Sequence, residues 1–259
     1  MSHRKKEGKY RRLAAGACGT AAALAAWHLL SLAIGSVLIL PGPREVLATL
    51  SSLVGSPEFW NSVAGTLKRV FLSFALTLMA GSITGMISAI HPFARDFLAP
   101  ILTTIRATPV LALILIAMFW LPSSGVPVLS AFLMAYPIIH VSAYTGMASI
   151  DAELLEMASV FKVPSSVQFF SLRLPAARGH FLSGAKNALG LCWKVVVAGE
   201  VLSQPAFALG TGLQDSRLSL DTSGVLAWAV ATVFLCGMSE FVLGLAARRF
   251  GPSASGERA

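Results

Sequence analysis

The side chains best suited to catalysis are scattered along this chain and form no catalytic or metal-binding pattern. Cys18, Cys192 and Cys236 fall in apolar segments without a CxxC or CxH spacing, which predicts small buried residues. His28 and His140 stand alone, so we expect a packed or hydrogen-bonded role rather than proton transfer. The sequence has no HExxH motif, Ser–Lys pattern, paired aspartates or GxxxxGKS/T phosphate loop. It therefore predicts no enzyme, no metal and no cofactor, and any ATP-driven step requires a separate chain.

Ionisable residues inside apolar segments are a stronger indication of function, because burying a charge in hydrocarbon is costly unless it pairs or faces water. Arg106, close to Thr104, is either a charge that faces a polar path through the membrane or a structural cation bonded to carbonyl groups, Glu200 or Glu240. Lys194 is the second candidate for a path residue or an ion pair. The sequence alone does not assign these pairs.

A polar segment at 151–179 interrupts the apolar sequence. Its charged residues are Asp151, Glu153, Glu156, Lys162, Arg173 and Arg178. An Asp, Lys or Arg side chain at the centre of a bilayer costs roughly 2.5–3.5 kcal/mol, so the segment must lie in water. It is also much longer than the two to eight residues or so that usually join packed helices. A loop of this length is expected to contact something.

Two short amphipathic helices are predicted within this polar segment. Asp151 is expected to cap the first helix, which has one apolar face. That face consists of Leu154, Leu155, Ala158 and Phe161. The helix breaks at Pro164, and a second stop is expected at Leu174-Pro175. Because acids dominate the first helix, anionic lipid would repel it, and a protein partner is preferred to a membrane surface.

Composition places the chain among polytopic helical membrane proteins. It is 55% hydrophobic and 12% charged, against about 25% charged residues in soluble domains. We predict an all-α fold with six transmembrane helices, since each long apolar segment approaches the roughly 20 residues needed to cross a bilayer. The segments are 13–40, 66–90, 97–121, 126–150, 181–202 and 224–247. A single transmembrane domain at 13–248 would then lie between a basic amino terminus at 1–12 and a polar tail at 249–259.

The placement of lysine and arginine predicts the orientation of these helices. If the amino terminus is cytoplasmic, thirteen of the twenty lysines and arginines lie on the inner side and four on the outer side. Both termini and the polar segment between helices four and five are therefore expected in the cytoplasm. The net charge of +8 reflects this asymmetry and contact with anionic lipid, and no basic stripe indicates nucleic acid.

Small residues and prolines within the apolar segments predict local packing. Gly81, Gly85 and Ala89 form a stripe that permits close helix approach, either within the subunit or at a dimer face. Pro109 and Pro137 are expected to kink their helices.

The sequence from Glu156 to Glu200 resembles the coupling-loop pattern of binding-protein-dependent ABC importer permeases. It matches at Glu156, Ala158, Phe169, Leu172 and Leu174-Pro175, and the stretch after this proline is most similar to the nitrate, sulfonate and taurine branch. The resemblance covers roughly residues 40–248. Lys162 stands where the family has a glycine, Met157 replaces an alanine and Gly179 replaces a proline. Either the coupling geometry is altered at Lys162 or that position accepts a right-handed helical backbone.

The resemblance implies a mechanism and a set of partners. The first helix of the polar segment would sit in a cleft on a dimeric ABC ATPase, with the contacts made by Glu156, Ala158, Ser159, Phe161, Lys162 and Val163. An extracytoplasmic binding protein would deliver a small anion such as a sulfonate, taurine or nitrate to the loops 41–65, 122–125 and 203–223. A second permease copy would complete the path in the bacterial inner membrane. The alternative is a membrane scaffold or assembly subunit that uses the same segment only for docking.

Overall fold

The computed structural model describes the backbone of residues 2–250 and the side chains of residues 15–247. All regular structure in this part of the chain is helical, as the sequence predicts. The helices are α1 (Ser2–Ile34), α2 (Pro43–Val54), α3 (Pro57–Ile90), α4 (Pro92–Ala107), α5 (Val110–Ala117), α6 (Val126–Ala148), α7 (Ala152–Val160), α8 (Ser165–Gln168), α9 (Leu174–Ser203), α10 (Leu209–Leu218) and α11 (Thr222–Phe250), with a π-helical turn at Phe169–Arg173. The side chains of the predicted basic segment 1–12 and polar tail 249–259 lie outside the described residues.

Four described helices are long and apolar enough to cross a bilayer. They are Ala15–Ile34 of α1, Pro57–Ile90, Val126–Ala148 and Thr222–Ala247 of α11. The pair α4 and α5 would make a fifth span if both helices belong to one crossing. Helix α9 is 30 residues long but falls outside this group, because Lys186, Lys194 and Glu200 reduce its hydropathy. The six-helix count therefore stays a prediction.

The third apolar segment is broken rather than kinked at Pro109. Helix α4 ends at Ala107, Thr108 is extended at φ −73° and ψ 125°, and α5 starts at Val110. The two helices meet at 97°. The ring of a proline disfavours helical backbone at the preceding residue, so Thr108 leaves the helix. Pro137, by contrast, lies inside an uninterrupted α6.

The chain divides into two compact units. Unit 1 comprises Met1–Trp60 with Gly212–Ala231, and unit 2 comprises Asn61–Thr211 with Thr232–Ala259. Within unit 1, Trp27 Nε1 donates to the carbonyl of Pro41 at 3.1 Å, and the rings of Phe59 and Trp228 lie 5.3 Å apart. These contacts fix the chain before α2 and hold the starts of α3 and α11 together.

An antiparallel pair, α6 and α9, forms the centre of unit 2. A Cβ atom added at Gly146 of α6 would lie 2.8 Å from Cα of Ala177 in α9. At the other end of the pair, a Cβ at Gly199 of α9 would lie 2.9 Å from Cα of Pro127 in α6. Real Cβ atoms do not approach other atoms this closely, so glycine is required at both positions. The two backbones are therefore in direct contact near both ends of the pair.

Helix α3 packs on α6 through the predicted glycine stripe. A side chain at Gly81 would meet Ile139, and one at Gly85 would meet the backbone of His140. The stripe therefore makes a contact within the subunit, the first of the two alternatives. The hydroxyl of Thr84 lies 3.0 Å from Nδ1 of His140, which confirms the hydrogen-bonded role predicted for that histidine. Among the cysteines, the burial prediction is correct for Cys192 and wrong for Cys18, which is exposed.

A buried carboxylate ties α3, α9 and α10 together within unit 2. Glu200 is 0% exposed, and Arg69 Nη1 donates to its Oε1 at 2.8 Å. The hydroxyl of Thr66 also donates to Glu200, at 2.9 Å, and accepts from the backbone N–H of Leu209. The N–H of Gly210 donates to Oε2 of Glu200 at 3.1 Å. Thr66 and Glu200 thus satisfy two of the N–H groups that are left free at the start of a helix, here α10.

The same arginine holds the segment between α9 and α10. Arg69 donates through Nη1 to the carbonyl of Phe207 at 3.2 Å and through Nη2 to the carbonyl of Ala206 at 3.0 Å. Gln204 and Phe207 both have positive φ, 46° and 52°, which is uncommon outside glycine. Any Cβ at Gly65 of α3 would overlap the carbonyl oxygen of Phe207. The segment is therefore seated directly on α3.

Removing either partner of the buried pair is expected to destabilise the protein strongly. We expect Arg69→Met to cost about 3–5 kcal/mol of unfolding free energy, because it leaves the Glu200 carboxylate buried without a cation. The double variant Arg69→Met/Glu200→Leu should lose much less than the sum of the two single variants. Tryptophan fluorescence during thermal unfolding in detergent would measure both effects.

The matched control is Arg95→Gln, which breaks the exposed Arg95–Asp96 pair. Exposed ion pairs contribute about 0–1 kcal/mol, so this variant should unfold close to the wild type. Equal melting temperatures for Arg69→Met and Arg95→Gln would contradict the role given to the buried network.

Candidate functional site

The polar segment begins with a capped helix, as the sequence predicts. Asp151 Oδ1 accepts the backbone N–H of Glu153 at 3.1 Å and caps the start of α7. Glu153 lies in the first turn, where its charge is favourable to the helix dipole. Glu156 and Ser159 are both exposed. The acids of α7 thus stabilise the helix and leave a charged surface in solvent.

Apolar side chains of α7 project into solvent beside these acids. We call Leu154, Met157, Val160 and Phe161 the α7 patch; Val160 is 76% exposed and Phe161 75% exposed. The predicted face is only partly right, because Ala158 is 6% exposed and Leu155 is half-buried. These two side chains lie on the inner side of α7, whereas Leu154 and Phe161 lie on the outer side. Contiguous exposed apolar residues of this kind mark interaction surfaces.

The end of α7 is a Schellman motif with lysine at the position that favours glycine. Lys162 has φ 53°, its N–H donates to the carbonyl of Ser159 at 3.0 Å, and the N–H of Val163 donates to the carbonyl of Ala158 at 2.9 Å. These are the two hydrogen bonds that define the motif. Pro164 follows and prevents the helix from continuing. Of the two alternatives for Lys162, a right-handed helical backbone is therefore wrong.

The second half of the polar segment runs into the next long helix without a stop. Gln168 Nε2 donates to the carbonyl of Val163 at 2.9 Å, and the π-helical turn joins α8 to α9. The expected stop at Leu174-Pro175 is wrong, because Pro175 lies in the first turn of α9, where proline needs no N–H partner. The π-helical turn lies just before Pro175. In an α-helix, a backbone carbonyl of this turn would clash with the proline ring, and the wider π-helical turn avoids that clash. Helix α9 thus starts seven residues before the predicted segment at 181.

The structure separates the four predicted path or ion-pair residues. Glu200 is part of the buried network with Arg69 and faces no open space. Arg106 is exposed and donates through Nη2 to the carbonyl of Pro137 at 3.5 Å. The hydroxyl of Thr104 donates to the carbonyl of Pro100 in its own helix, at 2.9 Å. Of the structural partners considered for Arg106, a carbonyl is the one it contacts, and its role on a path stays a prediction.

Lys194 lines a cavity of about 510 Å³ between α9 and α11. Lys186 and Asn187 of α9 and Glu240 of α11 also line it. The carboxylate of Glu240 lies over Gly190, where a Cβ atom would approach it to 2.5 Å. Two lysines and one glutamate therefore share a polar cavity on helices that are otherwise apolar.

Sequence analysis missed Arg69 and Thr66 as the partners of Glu200. Arg69 is the fourth residue of the predicted apolar segment 66–90, and Glu200 is the third residue from the end of the segment 181–202. In an antiparallel arrangement both residues therefore lie at the same end of their segments. That depth match is the signal that could have identified the pair. Met157 and Val160 were also missed as exposed apolar residues of α7.

A protein-family comparison agrees with this architecture. Residues 77–252 match the family described as the inner membrane component of binding-protein-dependent transport systems. The match covers more than half of the chain. The chain also resembles a solved structure of an inward-facing methionine ABC transporter, MetNI, with a TM-score of 0.57. That resemblance covers 73% of this chain and 93% of the solved chain at 17% identity, and it supports the fold alone.

Several curated relatives align with most of the chain. The taurine transport system permease protein TauC of Escherichia coli is 26% identical over 232 residues, which cover 87% of this chain and 84% of TauC. The putative aliphatic sulfonates transport permease protein SsuC of Bacillus subtilis is 27% identical and covers 86% and 82% of the two chains. The nitrate import permease protein NrtB of Synechocystis is 28% identical and covers 72% and 70%. With the family match over 77–252, these observations show that the chain belongs to the inner membrane components of binding-protein-dependent transport systems.

Proposed function

We propose that this chain is the permease subunit of an ATP-driven importer and forms the path of a small anion across the membrane. The observation that carries the proposal is the α7 patch, an exposed apolar surface on a capped helix in a chain of this family. ATP would be hydrolysed by a separate subunit whose cleft accepts α7. ATP-driven closure of two such subunits would then alternate the paired permeases between inward- and outward-facing states.

The chemistry of α7 favours a protein as its partner. Val160 and Phe161 would leave water on docking, and burial of apolar side chains is the main driving force of such association. Glu156 lies beside them in solvent and is suited to a basic group on the partner. Anionic lipid would instead be repelled by the exposed acids of α7.

The remaining partners follow from the proposed orientation. The end of unit 2 that carries α7, called the α7 end, would face the cytoplasm, because thirteen of twenty lysines and arginines lie on that side in this topology. The extracytoplasmic binding protein would then dock on 41–65, 122–125 and 203–223. A single permease domain at 13–248, crossing the inner membrane six times, would pair with a second copy to give twelve helices.

The cargo proposed is a small anion such as a sulfonate, taurine or nitrate. Three of the relatives are named as transport proteins for taurine, aliphatic sulfonates and nitrate. In this chain Lys194 lines a polar cavity, and Arg106 is an exposed cation at the break between α4 and α5. Both are proposed as residues of the anion path, with Thr104 beside Arg106.

Charge reversal on α7 tests the proposed coupling directly. We expect Glu156→Lys to leave the membrane fold intact and to lower co-purification with the ATPase and its stimulation by at least about tenfold, since a like charge replaces the proposed ion pair. Asp96→Lys, an equal charge change at an exposed position of α4, is the control and should retain both. Wild-type transport by Glu156→Lys in reconstituted vesicles would refute the coupling role.

The backbone at Lys162 gives a second test of this coupling element. Relief of the left-handed strain, about 1–2 kcal/mol, outweighs the added freedom of glycine, about 0.5–1 kcal/mol, so Lys162→Gly should tighten the end of α7. Hydrogen exchange at the N–H of Val163 should slow by up to about fivefold, with stimulation of the ATPase retained. Lys162→Ala keeps the strain and should show no slowing. Faster exchange in Lys162→Gly than in Lys162→Ala would be the contrary result.

Neutral variants test the proposed path residues. We expect Lys194→Gln and Arg106→Gln to lower anion uptake by about tenfold while assembly with the ATPase persists, because each loses a charged hydrogen-bond donor. Arg95→Gln, at an exposed position of α4 that lies in none of the proposed docking loops, should transport normally. Normal uptake kinetics in both path variants would exclude them from the path.

A further inference from the structure

A second cavity lies at the opposite end of unit 2, which we call the α10 end. None of the residues predicted for the path or for coupling lines this cavity. It encloses about 760 Å³ between α3, the start of α6 and the segment before α10. Cavities that bind small molecules typically measure about 300–1,000 Å³. Its apolar wall is formed by Leu72, Leu76, Val128, Leu129, Phe132 and Phe207.

Both charged residues that line this cavity are positive. Lys68 and Arg69 line it, and its lining contains no aspartate or glutamate. Arg69 is already bonded to Glu200 and to the carbonyls of Ala206 and Phe207. Lys68 is exposed, and within the described part of the chain no side chain or carbonyl accepts a hydrogen bond from it. One ammonium group therefore remains available at the edge of an apolar cavity.

The position of the cavity fits a step before the membrane path. Helix α9 separates the α7 end from the α10 end by 30 residues, or about 45 Å. If α7 faces the cytoplasm, the cavity opens on the side from which an importer receives its cargo. Asn61 and Ser124 add neutral polar groups to the same lining.

We propose that this cavity is an outer binding site for an alkanesulfonate, with the ammonium of Lys68 on the sulfonate group and the apolar wall on the hydrocarbon part. The proposal rests on the importer function proposed above. Nitrate has no hydrocarbon part, so the apolar wall would contribute nothing to the free energy of binding it. A cavity lined by no acid also offers no counter-charge to the amine of taurine. The site thus favours sulfonates that lack an amino group.

The test uses the complete transporter, reconstituted with its ATPase and binding protein, and measures uptake of butanesulfonate, taurine and nitrate. We expect Lys68→Met to lower butanesulfonate uptake by at least about tenfold, the usual effect of losing a charged hydrogen-bond donor. Lys68→Arg should retain most of the uptake. Arg95→Met, which removes an exposed cation that lines neither the cavity nor the proposed docking loops, should transport like the wild type.

A cysteine variant separates a role of the charge from a role in folding. Cys18, Cys192 and Cys236 are first replaced by alanine, and Lys68→Cys is then assembled and reconstituted. Modification with aminoethyl methanethiosulfonate places an ammonium group near its original position and should restore most of the uptake. Modification with sulfonatoethyl methanethiosulfonate adds a negative charge of similar size and should not.

Each other outcome overturns a defined part of the argument. If the wild type imports none of the three anions, the proposed function fails and the site fails with it. If the wild type imports butanesulfonate and Lys68→Met does so equally well, the site alone is wrong. Equal effects of the two reagents would exclude a role for the positive charge, and import of taurine or nitrate without butanesulfonate would exclude the alkanesulfonate class.

Discussion

The structure of unit 2 depends on how it accommodates one buried carboxylate. An ionised glutamate with no exposed surface is unfavourable by several kcal/mol unless nearly every lone pair is satisfied. Glu200 meets that condition through a guanidinium and a hydroxyl of α3 and a backbone N–H of α10. As a consequence, α3, the end of α9 and the start of α10 must remain together, because the Glu200 charge would otherwise lose its partners. The network also occupies Arg69 and so leaves Lys68 as the available cation beside it.

The sequence analysis was correct for features that depend on residues close together in the chain. The cap at Asp151 follows from a carboxylate placed just before a helical pattern, and the bounds of α6 follow from continuous hydropathy ended by polar residues. The contact made by Gly81 and Gly85 follows from four-residue spacing of small side chains. In each case the residues that decide the outcome are neighbours in the chain.

The sequence analysis was wrong where a residue is compatible with two local structures, or where the structure depends on a residue far away in the chain. Pro109 could either kink a helix or end it. In the structure α4 ends before Thr108, and α5 continues at 97° to it. Pro175 was taken as a stop, although proline is equally suited to the first turn of a new helix. Arg69 was not recognised as the partner of Glu200 because 131 residues separate them. The roles proposed for the path residues and for the α7 surface depend on contacts with other chains, which a single sequence does not contain.

The backbone contact between α6 and α9 limits how unit 2 can change shape. Where Gly146 meets Ala177 and Gly199 meets Pro127, no side chain separates the helices, so sliding one past the other would drive backbone atoms into each other. The two helices must therefore move as one rigid body. The extended backbone at Thr108–Pro109 lies outside this pair, between α4 and α5, and is a place where unit 2 can bend without sliding α6 past α9.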